Sequence, residues 1–449
     1  MMKKLQSKLF LGFARATTGA LMAAAPTFAA TAVLMLTASL AQAQSVTTAS
    51  KLPGEVHLLP ATLETTQWGW FDNAQPPVLT INSGDTVVME TMMHSHNQVV
   101  PGKTIEDLKK LRTDNPGRGP HTLTGPIFVT GAEPGDVLKI RLNRIVPRAY
   151  GVNFNIPGMF GQFPSEFQDG QVKFLYLDTV RKVIEFLPGI EIPLKPFPGT
   201  LGVARAEPGR YSSVPPGEYA GNMDIRDMVE GTTLYVPVWV KGGLLWSGDS
   251  HAAQGNGEVN LTAIETAFKE LNMTIELQKG KKMEMPRVET PSHWITVGFD
   301  KDLNLAWDGA KAQTLKFLAE QRNLSAQQAE DLMPKTSDCR VSQVVNIKKG
   351  IHCINPKDLK SKVLAARPMA ETKDDFVTFA KDADLNKAMD GASMAMIKTL
   401  QEKKNLSRLD AYGLASAAMD CRIGDMSAAS KAVHCLLPKN LWVAKAGSR

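Results

Sequence analysis

Cysteine is scarce in this 449-residue chain and unevenly placed: there are four, and the first is Cys339. The preceding part of the chain therefore offers no thiolate, which excludes a cysteine nucleophile or a blue-copper centre built there. A G-x-S-x-G elbow is also missing, so the hydrolase type built on that strained serine turn is excluded. Basic residues form no stripe and are not interleaved with aromatics, which argues against nucleic acid as a partner. Past the first forty-odd residues, no apolar run is long enough to span a bilayer.

What is present begins with that N-terminal exception. Lys3, Lys4, Lys8 and Arg15 precede the apolar run 20–40, and Ala41-Gln42-Ala43 offers a small-residue cleavage site. This pattern predicts a signal peptide over 1–43, with export to the periplasm or medium and no membrane attachment after removal. No cysteine lies near the cut, so a lipoprotein is not expected. The leader carries four positive charges and no negative one, so its loss takes the formal charge from +6 to +2. An exported chain meets an oxidising compartment, which bears on how its cysteines are read.

Residues 44–285 read as a β-rich core. PVLTI and TVVMETM flank Asn82-Ser83-Gly84-Asp85, and PIFVT and DVLKIRL flank Glu133-Pro134-Gly135-Asp136. Both read as hairpins and together predict an antiparallel β-sandwich. His94-Ser95-His96 follows the first; on a strand it would turn two imidazoles to one face, an arrangement able to hold a transition metal. A polar loop, 97–121, comes next. Residues 146–212, rich in Gly, Pro and Phe, suit short strands and loops that line a cleft or simply run over the surface.

The densest chemistry lies in Trp246–Glu265, WSGDSHAAQGNGEVNLTAIE, after a run at 233–245 that reads as a buried strand. Asp249 and His251, two apart, share one face of a strand. Asn256-Gly257 is hairpin-turn chemistry with Glu258 opening the return strand. A regular hairpin would leave Glu258 roughly 13 Å from His251 along the strand. For Asp249, His251 and Glu258 to share an ion or a water, 252–255 must leave the ladder. Asp224, on a turn, equally suits a backbone cap, and Glu265 suits the exposed face of a following helix.

After Pro286 the hydrophobic period becomes helical. Residues 295–357 and 377–439 align without gaps at an offset of 82, ending in DCR…HCINPK and DCR…HCLLPK. Two α+β units, 286–370 and 371–449, follow as an internal duplication, each with a strand, a long helix, a second helix capped by Ser325 or Ser407, and a closing strand. Cys339 and Cys353 have the same spacing as Cys421 and Cys435, so one disulfide per copy is the simplest pairing; two other connectivities, or free thiols, satisfy the count. A zinc site using His352 or His434 with each cysteine pair is the competing reading. The fold class is α+β: a mainly antiparallel β-sandwich with a duplicated C-terminal α+β unit.

Six blocks in order, Leu59-Pro60-Ala61-Thr62, PPVLTINSGDTV, TGPIFVTGAEPGDVLKI, PPGEYAGNMDI, LYVPV and GDSHAAQGNGEV, resemble the acetamidase/formamidase family from His57 to Glu265, and less sharply to Pro356. The family pattern covers one C-terminal unit, so the second reads as an addition. The resemblance implies a hydrolase of small carboxamides such as formamide or acetamide, a β-sandwich core, a divalent metal (zinc in some relatives) and an even-numbered homo-oligomer such as a dimer. The matching polar positions are Asn222 and Asp224, then Asp249, His251, Gln254 and Glu258, with His121 just before the T-G-P block. Two positions depart from the pattern: Ala220 stands where the family carries glycine, and Met92–His96 replaces an acidic stretch.

On that reading a metal held by Asp249 and His251 activates water, Glu258 acts as general base and then acid, and Asn222, Asp224, Gln254 and His121 bind the substrate. Two alternatives come from other classes. One is a non-catalytic amide- or peptide-binding or assembly protein on the same scaffold; the other is a metal-binding protein dependent on His94 and His96.

Overall fold

The computed structural model describes residues 54–360, 366–427 and 429–443. The predicted leader, 1–43, lies outside them. The described chain is mostly β. One sheet of twelve strands runs from Val56–Leu59 at one edge to Asp375–Asp382 at the other, and a second of eleven strands includes Thr122–Val129, Phe197–Val203 and Leu245–Ala253. The ladders of both sheets are antiparallel except for Val56–Leu59 with Thr86–Met89 in the first and Leu79–Ile81 with Thr122–Val129 in the second. No helix among the described residues is long and apolar enough to cross a membrane.

The two predicted hairpins are not hairpins. Leu79–Ile81 belongs to the eleven-strand sheet and Thr86–Met89 to the twelve-strand sheet; Thr122–Val129 and Val137–Pro147 are divided in the same way. Each G-D turn therefore carries the chain from one sheet to the other. Local periodicity identifies strands but not their partners. The turns themselves form as expected: Asp85 accepts hydrogen bonds from the amides of Asn82 (2.8 Å) and Glu55 (2.9 Å), and Asp136 accepts from Glu133 N (2.9 Å). The 233–245 run also divides, into Thr233–Pro237 in the larger sheet and the start of Leu245–Ala253 in the other. Side chains from both sheets, among them Val87, Met89, Ile140, Leu201, Leu245 and Trp246, meet in one core.

Beyond Pro286 the strand His293–Asp300 precedes helices Leu303–Arg322 and Ala326–Thr336 and strands Asp338–Gln343 and Lys349–Pro356. Asp375–Asp382, Leu385–Lys404, Arg408–Ala418, Asp420–Met426 and Lys431–Pro438 then repeat that order. All of these strands continue the twelve-strand sheet. The second helix of each set starts at a serine cap: Ser325 Oγ accepts from Gln328 N (3.2 Å) and Ser407 Oγ from Asp410 N (3.1 Å). Each set closes with a pair of strands, one more strand than expected. Disulfides Cys339–Cys353 and Cys421–Cys435 join residues directly opposite in those pairs. The cysteines are therefore unavailable as zinc thiolates; His352 Nδ1 lies 2.8 Å from Ser342 Oγ, and His434 Nδ1 donates to Pro368 O at 3.0 Å.

Candidate active site

The strand Leu245–Ala253 is buried along its whole length, between Phe197–Val203 on one side and Thr122–Val129 and Ile264–Thr266 on the other. Asp249 and His251 both turn into one cluster, as their spacing requires. His251 Nε2 lies 3.3 Å from Asp249 Oδ1. Gly199, on the neighbouring strand, makes room for this convergence. A Cβ there would sit 2.4 Å from His251 Cε1 and 2.8 Å from both Asp224 Oδ1 and Asp249 Oδ2.

After Ala253 the chain leaves the ladder and returns at Ile264, so the predicted two-residue hairpin does not form. Asn256 and Gly257 instead bridge to Asp420 and Gln343 in the C-terminal strands. Gly255 N donates to Ser416 O (2.8 Å), Gly257 N to Ser342 O (3.1 Å) and Asn256 Nδ2 to Asp420 Oδ1 (2.6 Å). These bonds hold the excursion 254–263 in a shape that turns Glu258 back toward His251. The return strand then sets Glu265 directly opposite His251 in register, with Oε2 3.2 Å from Nε2. Glu265 is thus a buried strand residue and not the exposed helical one expected; its sequence neighbours carry helical pattern, and only the pairing places it.

His94 and His121 complete the cluster. His94 Nε2 is 2.8 Å from Asp249 Oδ1 and 3.3 Å from Glu265 Oε2. His121 Nδ1 contacts Ser213 Oγ at 2.9 Å, leaving Nε2 3.6 Å from Asp249 Oδ2. The H-x-H pair does not act as a unit. Ser95, His96 and Asn97 adopt left-handed φ (55°, 50°, 61°), which turns His96 away to lie beside Trp68. Asn222 ends the strand Ala220–Asn222 and Asp224 lies just after it: Thr200 Oγ1 donates to Asn222 Oδ1 (3.1 Å) and Asp249 Oδ2 (3.2 Å), and Asn222 Nδ2 donates to Val214 O (2.9 Å). Gln254 is not part of the cluster; it is buried with Nε2 donating to Ser342 O (3.4 Å). Asn346, which the sequence reading missed, donates Nδ2 to Asp224 Oδ2 and, at 3.5 Å, to Glu258 Oε2.

Backbone strain gathers here. Asp224, Asp249 and Glu258 all have left-handed φ (52°, 49°, 48°), as does Ala220 (66°), the position where the family pattern has glycine. Each such non-glycine residue costs on the order of 1 kcal/mol, and such residues cluster where side-chain direction matters more than local stability.

The carboxyls separate electrostatically into two kinds. Burial pushes Asp224 well above the usual range, with Asp249 and Glu265 adding to it; Glu258 goes the same way through burial and the adjacent Asp224. Burial also acts against ionised Asp249 and Glu265, but the surrounding imidazoles outweigh it and hold both below normal. His94 follows the converse pattern: burial works against its charge, yet Glu265 and Asp249 raise it to about 9. Burial lowers His121 to about 4.

Several buried atoms in the cluster lack a well-aligned hydrogen bond, although His251 Nε2 and Glu265 Oε2 face each other at 3.2 Å: both ring nitrogens of His251, His94 Nδ1, Asp224 Oδ1 and Glu265 Oε2. Such atoms call for an ion or water. Ligand atoms lie within 4.8 Å of one another in three groups: His94, His121 and Asp249; Asp224, Asp249 and His251; and His251, Glu258 and Glu265. Mixed imidazole and carboxylate donors suit a divalent metal. The cluster forms the floor of a cavity of about 290 Å³ bordered by His94, His121, Asn222, Asp249, Glu258, Glu265 and Asn346. His251 and Asp224 do not border it. Part of the 97–121 segment forms a helix, Ile105–Thr113, whose Leu108 and Leu111 help wall the cavity. Phe154, Ile156 and Phe160, from the Gly/Pro/Phe-rich stretch, do the same.

The sequence profile described as the Acetamidase/Formamidase family matches residues 63–209 and 205–442, extending through the second C-terminal set and past the Pro356 limit read from the sequence. The chain is 27% identical over 219 residues to an acetamidase of Mycolicibacterium smegmatis, covering 36% of this chain and 54% of the relative. It is 25% identical over 245 residues to a formamidase of Methylophilus methylotrophus, covering 43% and 59% respectively. The matched region thus spans little more than half the length of these curated relatives. Among solved structures, an acetamidase of Yersinia enterocolitica superimposes with a TM-score of 0.63 at 27% identity, over 70% of this chain and 95% of that one. An acetamidase of Bacillus halodurans gives 0.61 at 28% identity, over 67% and 97%.

Proposed function

The chain belongs to the acetamidase/formamidase family, and from that premise we propose that it hydrolyses a carboxamide to ammonia and a carboxylic acid at the floor of the cavity. The observation that carries this reading is the convergence of Asp249, Glu258 and Glu265 with His94, His121 and His251, with several buried ligand atoms lacking a well-aligned hydrogen bond. Amide cleavage requires an attacking water, stabilisation of the oxyanion and a proton for the departing nitrogen. Two adjacent buried carboxyls do not both ionise, so the Asp224–Glu258 pair carries a proton at neutral pH. Glu258, the member that borders the cavity, takes a proton from the water and returns it to nitrogen. Asn346 steers both carboxyls through its shared amide, while Asn222 and His121 orient the substrate from the cavity wall. A divalent ion, zinc in this reading, held by Asp249 and His251 with His94, His121 or Glu265, would polarise the carbonyl and acidify water.

Ammonia release from formamide, acetamide and longer amides, measured with and without added zinc, tests this. Glu258→Gln and Asp249→Asn should each lose at least about a hundredfold in kcat/KM while keeping the wild-type circular dichroism. Undiminished turnover by Asp249→Asn would overturn the assignment.

The same reading takes the protein as exported, cleaved near Ala43, and assembled as a homo-oligomer. It takes 44–285 as a β-sandwich core followed by duplicated units at 286–370 and 371–449. The leader pattern, two disulfides suited to an oxidising compartment, a core shared by both sheets and the matched element order support it.

A further inference from the structure

The cavity is larger than the smallest amides need. At about 290 Å³ it compares with about 30 Å³ for each water in the liquid, and formamide displaces only roughly two waters. Its charged lining residues fall in two places: the carboxylate–imidazole floor, and Arg112 and Arg118. Between these lie Leu108, Leu111, Phe154, Ile156, Phe160 and Leu261. Leu108, Phe154 and Ile156 are buried and pack in a small core of their own, so the wall is fixed and not a collapsed loop.

Two further features place this apolar volume in the site. Val345 and Ile347 flank Asn346 and reach the same cavity. Ile347 is 59% exposed and has φ 64°, a left-handed conformation that a β-branched residue rarely adopts. The loop that positions Glu258 and Asp224 therefore also presents apolar side chains at the rim. Arg112 donates Nη1 to Arg118 O (3.0 Å) and lies 5.3 Å from the Phe160 ring centre, Arg118 lies 4.5 Å from that of Trp68, and neither forms an ion pair among the described residues. Their positive charge opposes a cationic substrate tail.

We infer that this site takes primary amides with an extended, uncharged apolar acyl group, the carboxamide on the carboxylate–imidazole floor and the acyl chain along the Leu108–Phe160 wall. The inference rests on the hydrolase reading and narrows its substrate class. Burying a methylene gains about fourfold in binding, so an acyl chain several methylenes longer than acetamide's gains about thirtyfold or more in kcat/KM.

The test compares acetamide, hexanamide, phenylacetamide and 6-aminohexanamide on the full chain supplied with zinc. Hexanamide and phenylacetamide should exceed acetamide by at least about thirtyfold, and 6-aminohexanamide should lose most of that advantage. Met159→Trp, at the partly exposed rim, should lower the hexanamide-to-acetamide ratio at least about tenfold; Leu111→Phe gives a second such variant. Acetamide turned over as well as hexanamide overturns the acyl site and leaves the hydrolase standing. If no amide is turned over, the hydrolase reading fails, and calorimetric binding decides the acyl site: hexanamide binding at least about tenfold tighter than acetamide supports it, while equal or undetectable binding overturns it.

Discussion

The two C-terminal segments share an order of elements but serve the site differently. After Asp338–Gln343 the first sends a loop, 344–348, into the cluster, where Asn346 joins Asp224 to Glu258. In the turn after Asp420–Met426 of the second, Ser427 is exposed and, among the described residues, bonds to Ser430. Its contribution is one step removed: Asp420 accepts from Asn256 and pairs with Arg226 (3.0 Å) and Arg422 (2.7 Å), fixing the excursion that carries Glu258. Similar scaffolds can thus divide the work, one segment presenting a functional amide and the other bracing the loop it meets. The sequences diverge most where the roles do, QVVNIKK against DMSAASK.

The largest break in this comparison should come from Asn346→Ala, which leaves two buried carboxyls without their shared donor. It should lower kcat/KM about a hundredfold, whereas Ser427→Ala should stay within about twofold in the same ammonia assay. Asp420→Ala should lower activity about tenfold and cost about 2 kcal/mol of stability by urea denaturation, because it strips half-buried arginines of their partner. Loss of activity without loss of stability would show that Asp420 acts on the site directly.

Removing either disulfide by paired alanines should cost about 3 kcal/mol, since the closed loops are of equal length. Loss of Cys339–Cys353 should reduce turnover more than loss of Cys421–Cys435, because its strand leads directly into the loop that carries Asn346. The smallest effect concerns His352. Burial holds it neutral, lowered to about 4, against the opposing pull of Asp227. A depressed histidine is protonated more readily in the unfolded chain, so stability falls as pH drops from about 6.5 toward 4. Denaturation of His352→Gln at pH 7 and pH 5 should show a shallower decline than wild type.

Much of the site was legible because it lies in short motifs. The two-residue spacing of Asp249 and His251 did give a common direction, and the glycines around Glu258 did permit the bend that a regular hairpin would have prevented. Glu265 was not legible, since its role comes from lying opposite His251 in a ladder and not from its neighbours in sequence. His94 and His96 looked equivalent until the left-handed turn separated them. Asn346 is reached only through tertiary contact, although the mismatch between the two aligned C-terminal segments at that point is a usable signal. The G-D turns show the same limit at the level of fold: Asp85 and Asp136 tie their turns as the residues dictate, but which sheet receives the next strand is settled by burial elsewhere.

The excursion holding Glu258 has a consequence for biogenesis. Its backbone and side chain are bonded to Ser342, Ser416, Asp420 and Cys421, the last of these through Asn256 O at 3.2 Å. A growing polypeptide that has folded everything up to the first disulfide still lacks three of those four partners. The placement of Glu258 is therefore incomplete until Cys421 has been made, so a chain truncated between the first disulfide and that point would lack most of the bonds that hold the excursion.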